Sequence, residues 1–139
     1  MSNLGAAPQQ ISPLRIIVAD DDRDAVLSLA TILLQEGHEV VEVYRGDAVL
    51  DRVRAYKPDV LLLDIGMPGQ TGFEIARKLR DELGPACPLM IATTAWTQTS
   101  AKVLGKRVGF SHYLTKPYST AELLHLLQGV SPRSHESAG

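Results

Sequence analysis

The chain has 139 residues, 45% apolar and 22% charged, with a net charge of −2. That is one domain's length with an ordinary globular composition, and the charge balance speaks against nucleic acid as the main partner. The single cysteine, Cys87, excludes an internal disulfide and fits a reducing compartment, so a cytoplasmic location is expected, and no apolar run approaches a membrane span.

Residues 1–13 are polar and lack the basic start and apolar block of a secretory signal, so a flexible lead-in is expected. The run 14–20 is a short apolar strand ending in Asp20-Asp21-Asp22. Over 23–36, Val26, Leu29, Ala30 and Leu33 recur at helical spacing, and Gly37 is a natural stop. Valines at 40, 41 and 43 make 38–44 a strand. Residues 47–56 place Val49, Leu50 and Val53 on one helical face, and Lys57-Pro58 ends it.

The run 60–63, Val-Leu-Leu-Leu, reads as a fully buried strand. It ends in Asp64, followed by a Gly/Pro loop through Gly69 rather than by a helix. Residues 73–83 carry Phe73, Ala76, Leu79 and Leu83 at helical spacing before Gly84-Pro85. A strand is expected over 89–93, ending in Thr93-Thr94, and another over 110–114, leading to Thr115-Lys116-Pro117. Between them, 97–108 is the weakest helix, poor in apolar residues and containing Gly105. Residues 119–128 form a helix, with Ser119 and Glu122 at capping-box spacing and Leu123, Leu124 and Leu127 on its apolar face. A flexible tail is expected over 130–139.

Strands alternating with helix-length segments imply right-handed βαβ crossovers and a parallel sheet covered on both faces. Ligands of such sheets bind beyond the carboxyl ends of the strands. Here four strand ends offer carboxylates (Asp20, Asp21, Asp64), a hydroxyl (Thr94) and an amine (Lys116), a set suited to a divalent metal and a phosphoryl group. Taken singly, each has a plainer reading. Asp20 to Asp22 suit helix capping, a task expected of Asp22 in any case. Lys116 alone would be a solvated lysine, Thr94 a loop hydroxyl bonded to its own backbone, and Tyr113 a half-buried strand aromatic.

Taken together, the residues resemble the receiver domain of two-component response regulators, in particular the single-domain chemotaxis regulators. The likeness covers about residues 14–129. Its motifs are Asp20-Asp21, Asp64 with Met67-Pro68 and Gly72, Thr94-Ala95, and Lys116-Pro117, with Thr94 and Lys116 lying 30 and 52 residues beyond Asp64. The resemblance implies a flavodoxin-like, doubly wound sheet of five parallel strands, (βα)5, in the order 2-1-3-4-5. It implies that Asp64 is the phosphoacceptor. It further implies that Asp20, Asp21, Asp64 and the backbone carbonyl of Gly66 hold Mg2+ (or Mn2+), with Asp20 acting mainly through water. Lys116 would pair with the phosphoryl oxygens, and the peptide between it and Pro117 is usually cis in the family. Thr94 would donate its hydroxyl, and Tyr113 would be the switch aromatic. Gly66 and Trp96 occupy the two variable positions beside the site. Trp96 has no group suited to orienting an attacking water, so slow self-dephosphorylation is expected.

The expected partners are a histidine kinase or histidine phosphotransfer protein as donor and a downstream protein as target, with no nucleic acid and no membrane. A monomer or a phosphorylation-dependent dimer is expected, acting as a signalling module and not a turnover enzyme. The start methionine and the tail favour a complete small protein; a receiver excised from a hybrid histidine kinase is the alternative. A flavodoxin-like cofactor module is a remoter one, suggested by the hydroxyl-rich loop from Thr93 to Ser100 but opposed by the acidic residues where its phosphate loop would lie. The four histidines lack metal-ligand spacing, Lys106-Arg107 is an isolated basic pair, and Ser111 departs from the acidic residue frequent there in the family.

Overall fold

A computed structural model describes residues 12–67, 71–95 and 109–132. Five parallel strands form one sheet: β1 (Arg15–Ala19), β2 (Glu39–Val43), β3 (Val60–Asp64), β4 (Leu89–Thr94) and β5 (Phe110–Thr115). Their order is β2-β1-β3-β4-β5, the doubly wound order expected from the sequence. The described helices are α1 (Arg23–Gln35), α2 (Val49–Tyr56), α3 (Gly72–Leu83) and α4 (Thr120–Gln128). The helix expected over 97–108 and the termini 1–11 and 133–139 lie outside the described residues.

Side chains alternate across each strand, and this splits the core into two layers. Ile17, Leu61, Leu63, Met90 and Ala92 meet α2 and α3 through Val49, Val53, Ile75, Ala76 and Leu79. Ile16, Val18, Val60, Leu62 and Ile91 meet α1 and α4 through Val26, Leu29, Leu33, Leu123 and Leu127. All five residues of β3 are buried, as a central strand covered on both faces requires. Each fully buried leucine there contributes about 1.5–3 kcal/mol, enough to hold polar residues at the strand's end.

The helix ends follow local chemistry. Asp22 caps α1, its side chain accepting the Ala25 N–H, and Ser119 caps α4 by accepting the Glu122 N–H. The helix α3 starts at Gly72, one residue before the apolar periodicity does. A full capping box between Thr71 and Glu74 sets that start. A short 3-10 turn, Gly46–Ala48, precedes α2, so the helix begins at Val49 and not at Asp47. Lys57 ends α2 in the left-handed conformation, φ 54°, just before Pro58.

Candidate phosphoryl-acceptor site

The register of β1 and β3 builds the site. Ile16 lies beside Val60 and Ala19 beside Leu63, so the next pair along, Asp20 and Asp64, emerges side by side toward the α1/α4 face. Asp20 N–H donates to the Val43 carbonyl at 3.0 Å, which ties the end of β1 to β2. Asp20 Oδ1 accepts the Asp22 N–H at 3.0 Å and shapes the turn into α1. Asp64 Oδ1 accepts the Gly66 N–H at 2.9 Å in the same manner. Beyond it the chain returns, and Gly72 N–H reaches the Ile65 carbonyl at 3.3 Å. Gly72 is packed so closely there that a Cβ would lie 2.6 Å from Ile65 Cα.

Lys116 arrives from β5. Its N–H donates to the Thr94 carbonyl at 2.7 Å, and the Lys116–Pro117 peptide is cis, as in the family pattern. The ammonium bridges two carboxylates, at 2.7 Å from Asp20 Oδ2 and 3.3 Å from Asp64 Oδ2. Asp20 is the nearer of the two partners. Burial raises the Asp64 pKa, and the neighbouring Asp20 charge adds to that; the Gly66 N–H and Lys116 oppose it. Burial works against charge on Lys116, but the Asp20 hydrogen bond and the two carboxylates outweigh it, so its pKa is raised.

Asp20, Asp21 and Asp64 present ligand atoms within 4.8 Å of one another, Asp21 from an exposed position. Three hard oxygen donors against one ammonium leave two negative charges when all are ionised. Both the donor chemistry and that charge fit a divalent cation such as Mg2+. Thr94 is buried at the end of β4. By strand alternation it lies with Met90 and Ala92 on the opposite face of the sheet from the carboxylates. Tyr113 shares that face, pairing in register with Ala92, half-buried and edge-on to Phe110 at 5.8 Å between ring centroids. Gly66 is exposed, with open space beside it apart from Asp64 Oδ1. Trp96 lies outside the described residues. The structure thus gathers Asp20, Asp21, Asp64 and Lys116, and connects Thr94 to them through its backbone.

Sequence reasoning passed over Thr93. It alternates with Thr94, so it belongs to the carboxylate face, where it pairs in register with Asp64. The doublet Thr93-Thr94 at a strand end carried that signal, because adjacent strand residues must face opposite ways.

This geometry agrees with known proteins. The model of the response regulator receiver domain matches residues 16–128. Protein PilH of Pseudomonas aeruginosa is 39% identical over 117 residues, covering 84% of this chain and 96% of PilH. Among solved structures, a CheY-like receiver domain protein from Methanospirillum hungatei superposes with a TM-score of 0.78 at 27% identity, over 84% of this chain and 92% of that one. The BeF3-activated receiver domain of Klebsiella pneumoniae RstA gives 0.76 at 29% identity, over 82% and 95%. The chain belongs to the response regulator receiver domain family of two-component signalling, in which an aspartyl phosphate and a bound Mg2+ are typical. Among the described residues, no helix is long and apolar enough to cross a membrane.

Proposed function

We propose that this chain is a single-domain response regulator, with a receiver over residues 14–129, that accepts a phosphoryl group on Asp64 from a histidine kinase or histidine phosphotransfer protein. The observation that carries this reading is the Lys116 ammonium bridging Asp20 and Asp64, with Asp21 completing a three-carboxylate cluster. An Asp64 carboxylate oxygen attacks phosphorus, and the donor nitrogen leaves with the bond's electron pair. Repulsion between carboxylate and phosphoryl group is the main obstacle. Asp21, Asp64 and the Gly66 carbonyl, with Asp20 through water, would hold Mg2+ or Mn2+, which would supply the positive charge that offsets it. Lys116, already within 3.3 Å of Asp64, shifts its charge onto the transferred phosphoryl oxygens. Thr94 donates its hydroxyl to the same group.

Support for the switch comes from Thr94 and Tyr113 sharing one face of the sheet on neighbouring strands. Movement of Thr94 toward phosphate opens space for the Tyr113 ring and alters the surface of β5 and its flanking helices. The output is a contact with a partner protein in the cytoplasm, by a monomer or a phosphorylation-dependent dimer, without turnover of a substrate pool.

Intact-mass measurement after treatment with acetyl phosphate and Mg2+ tests the reading. One phosphoryl adduct is expected on the wild type and none on Asp64→Asn. An adduct of equal yield on the variant would refute the assignment.

A further inference from the structure

Beside the acidic cluster lies a cleft of about 520 Å3 between α1 and the segment leading from β5 into α4. That volume is within the range of small-ligand sites, about 300–1,000 Å3. Its walls are apolar, formed by Val18, Val26, Leu29, Ile32 and Leu62. Its mouth is not. Lys116 and Asp20 line it, so the cleft opens on the ammonium that also contacts Asp64. Four hydroxyl residues line it as well: exposed Ser28 and Thr120 at its surface, and further in Thr93, only 4% exposed, and half-buried Tyr118. The Thr93 and Tyr118 hydroxyls have no hydrogen-bond partner among the described residues. Both are open to solvent in the cleft, so an occupant that displaces that water without bonding them leaves them unsatisfied.

An apolar cleft that also presents the Thr93 and Tyr118 hydroxyls and opens on an ammonium suits a short hydrocarbon chain that ends in oxygens. A purely apolar side chain of a partner protein would leave both hydroxyls unsatisfied. We propose that the cleft binds the hydrocarbon tail of small acyl phosphates, so that donors with tails longer than acetyl phosphorylate Asp64 in preference to acetyl phosphate. This rests on Asp64 being the acceptor and adds the class of small-molecule donor. In the transfer, a bond forms between an Asp64 carboxylate oxygen and phosphorus. The bond between phosphorus and the acyl oxygen breaks, and the acyl carboxylate departs with the electron pair; no proton or redox partner is required. The Thr93 and Tyr118 hydroxyls donate to the acyl oxygens, and the tail lies along Leu29 and Ile32.

Burial of one methylene corresponds to about a fourfold gain in binding. Butyryl phosphate, with two more methylenes than acetyl phosphate, is therefore expected to half-saturate at a roughly tenfold lower concentration. The test uses the full chain with Mg2+ and follows initial adduct formation by intact mass against the concentration of each donor. Ser28→Phe and Ala25→Leu, both exposed positions on α1 that line the cleft, fill it without touching the acidic cluster. These variants are expected to react with acetyl phosphate like the wild type and to lose the butyryl preference. Equal half-saturation of the wild type by the two donors would overturn the proposal and leave the cleft to a protein side chain. So would a preference that persists in both filled variants. Failure of butyryl phosphate alone to label would also overturn the proposal, whereas failure of both donors, or labelling that survives Asp64→Asn, would overturn the acceptor assignment and this inference with it.

Discussion

Replacing Asp64 by asparagine is expected to make the protein more stable at pH 7 when divalent metal is absent. The Lys116 ammonium at 3.3 Å attracts the Asp64 carboxylate by about 5 kcal/mol at an effective dielectric near 20. Asp20, within 4.8 Å, repels it by about 3.5 kcal/mol on the same scale. Asp21 adds repulsion that solvent screens. The pairwise charges therefore come close to cancelling, and desolvation of a side chain that is only 11% exposed decides the balance. That penalty is on the order of several kcal/mol. The Gly66 N–H offsets part of it, and an asparagine oxygen can keep that bond. A net gain of about 2 kcal/mol for Asp64→Asn follows, or roughly 6–8 °C in Tm for a chain of this size. The pH dependence has a definite sign. The folded-state pKa of Asp64 is raised above its ordinary value of 3.8, so the folded wild type takes up its proton first as pH falls. The penalty is complete above the raised pKa and disappears as pH falls through it to below 3.8. Calorimetric melts in EDTA at pH 7 and pH 4 should show the gap closing in acid. Millimolar Mg2+ at pH 7 should narrow it by stabilising the wild type. A variant that melts below the wild type at pH 7 in EDTA would refute this balance, and so would a gap unchanged at pH 4.

Lys116→Met removes both ammonium contacts while keeping the aliphatic stem. It is expected to cost about 2 kcal/mol at pH 7, discounted from a fully buried pair because the side chain is 31% exposed, and to cost less at pH 4, where Asp64, its pKa raised by burial, takes up a proton; urea midpoints at the two pH values check it. His38 is buried and accepts the Leu14 N–H on Nδ1 at 3.0 Å; burial holds its pKa below 6.5 against the opposing pull of Glu36. The unfolded chain therefore protonates first, so the stability held by neutral His38 is present above about pH 6.5 and lost as pH falls below it. His38→Asn, which retains an acceptor, should flatten the change in urea midpoint between pH 7 and pH 5. Gly72→Ala places a Cβ 2.6 Å from Ile65 Cα and is expected to cost about 2 kcal/mol, measured by urea denaturation.

The reasons some features were legible in the sequence and others were not are physical. β3 could be read because a strand buried on both faces must be apolar at every position, and Val60 to Leu63 is such a run. The start of α3 was missed by one residue because periodicity begins at Phe73, while the backbone donors of the first turn are satisfied by Thr71 and Glu74, polar residues that carry no periodicity. The pairing of Arg15 N–H with buried Asp59 at 2.7 Å, and of Leu14 N–H with His38, had no signal either, since a polar residue before a strand reads as loop until its partner is known. The site divides the same way. Which residues stand at strand ends follows from where apolar runs stop, so Asp20, Asp64, Thr94 and Lys116 could be named. Which of them touch depends on register and on side-chain direction, and these belong to several strands at once. Lys116 meets both Asp20 and Asp64 because β1 lies beside β3 in a register that sets the two carboxylates next to each other, so one ammonium can serve both. The same alternation turns Thr93 toward the cleft and Thr94 toward the opposite face. Two adjacent threonines of identical chemistry thus face different surroundings, Thr93 the carboxylate face and the cleft, Thr94 the face that carries Tyr113. Thr93→Val should therefore affect discrimination between acyl donors, and Thr94→Val the response to phosphorylation whatever the donor.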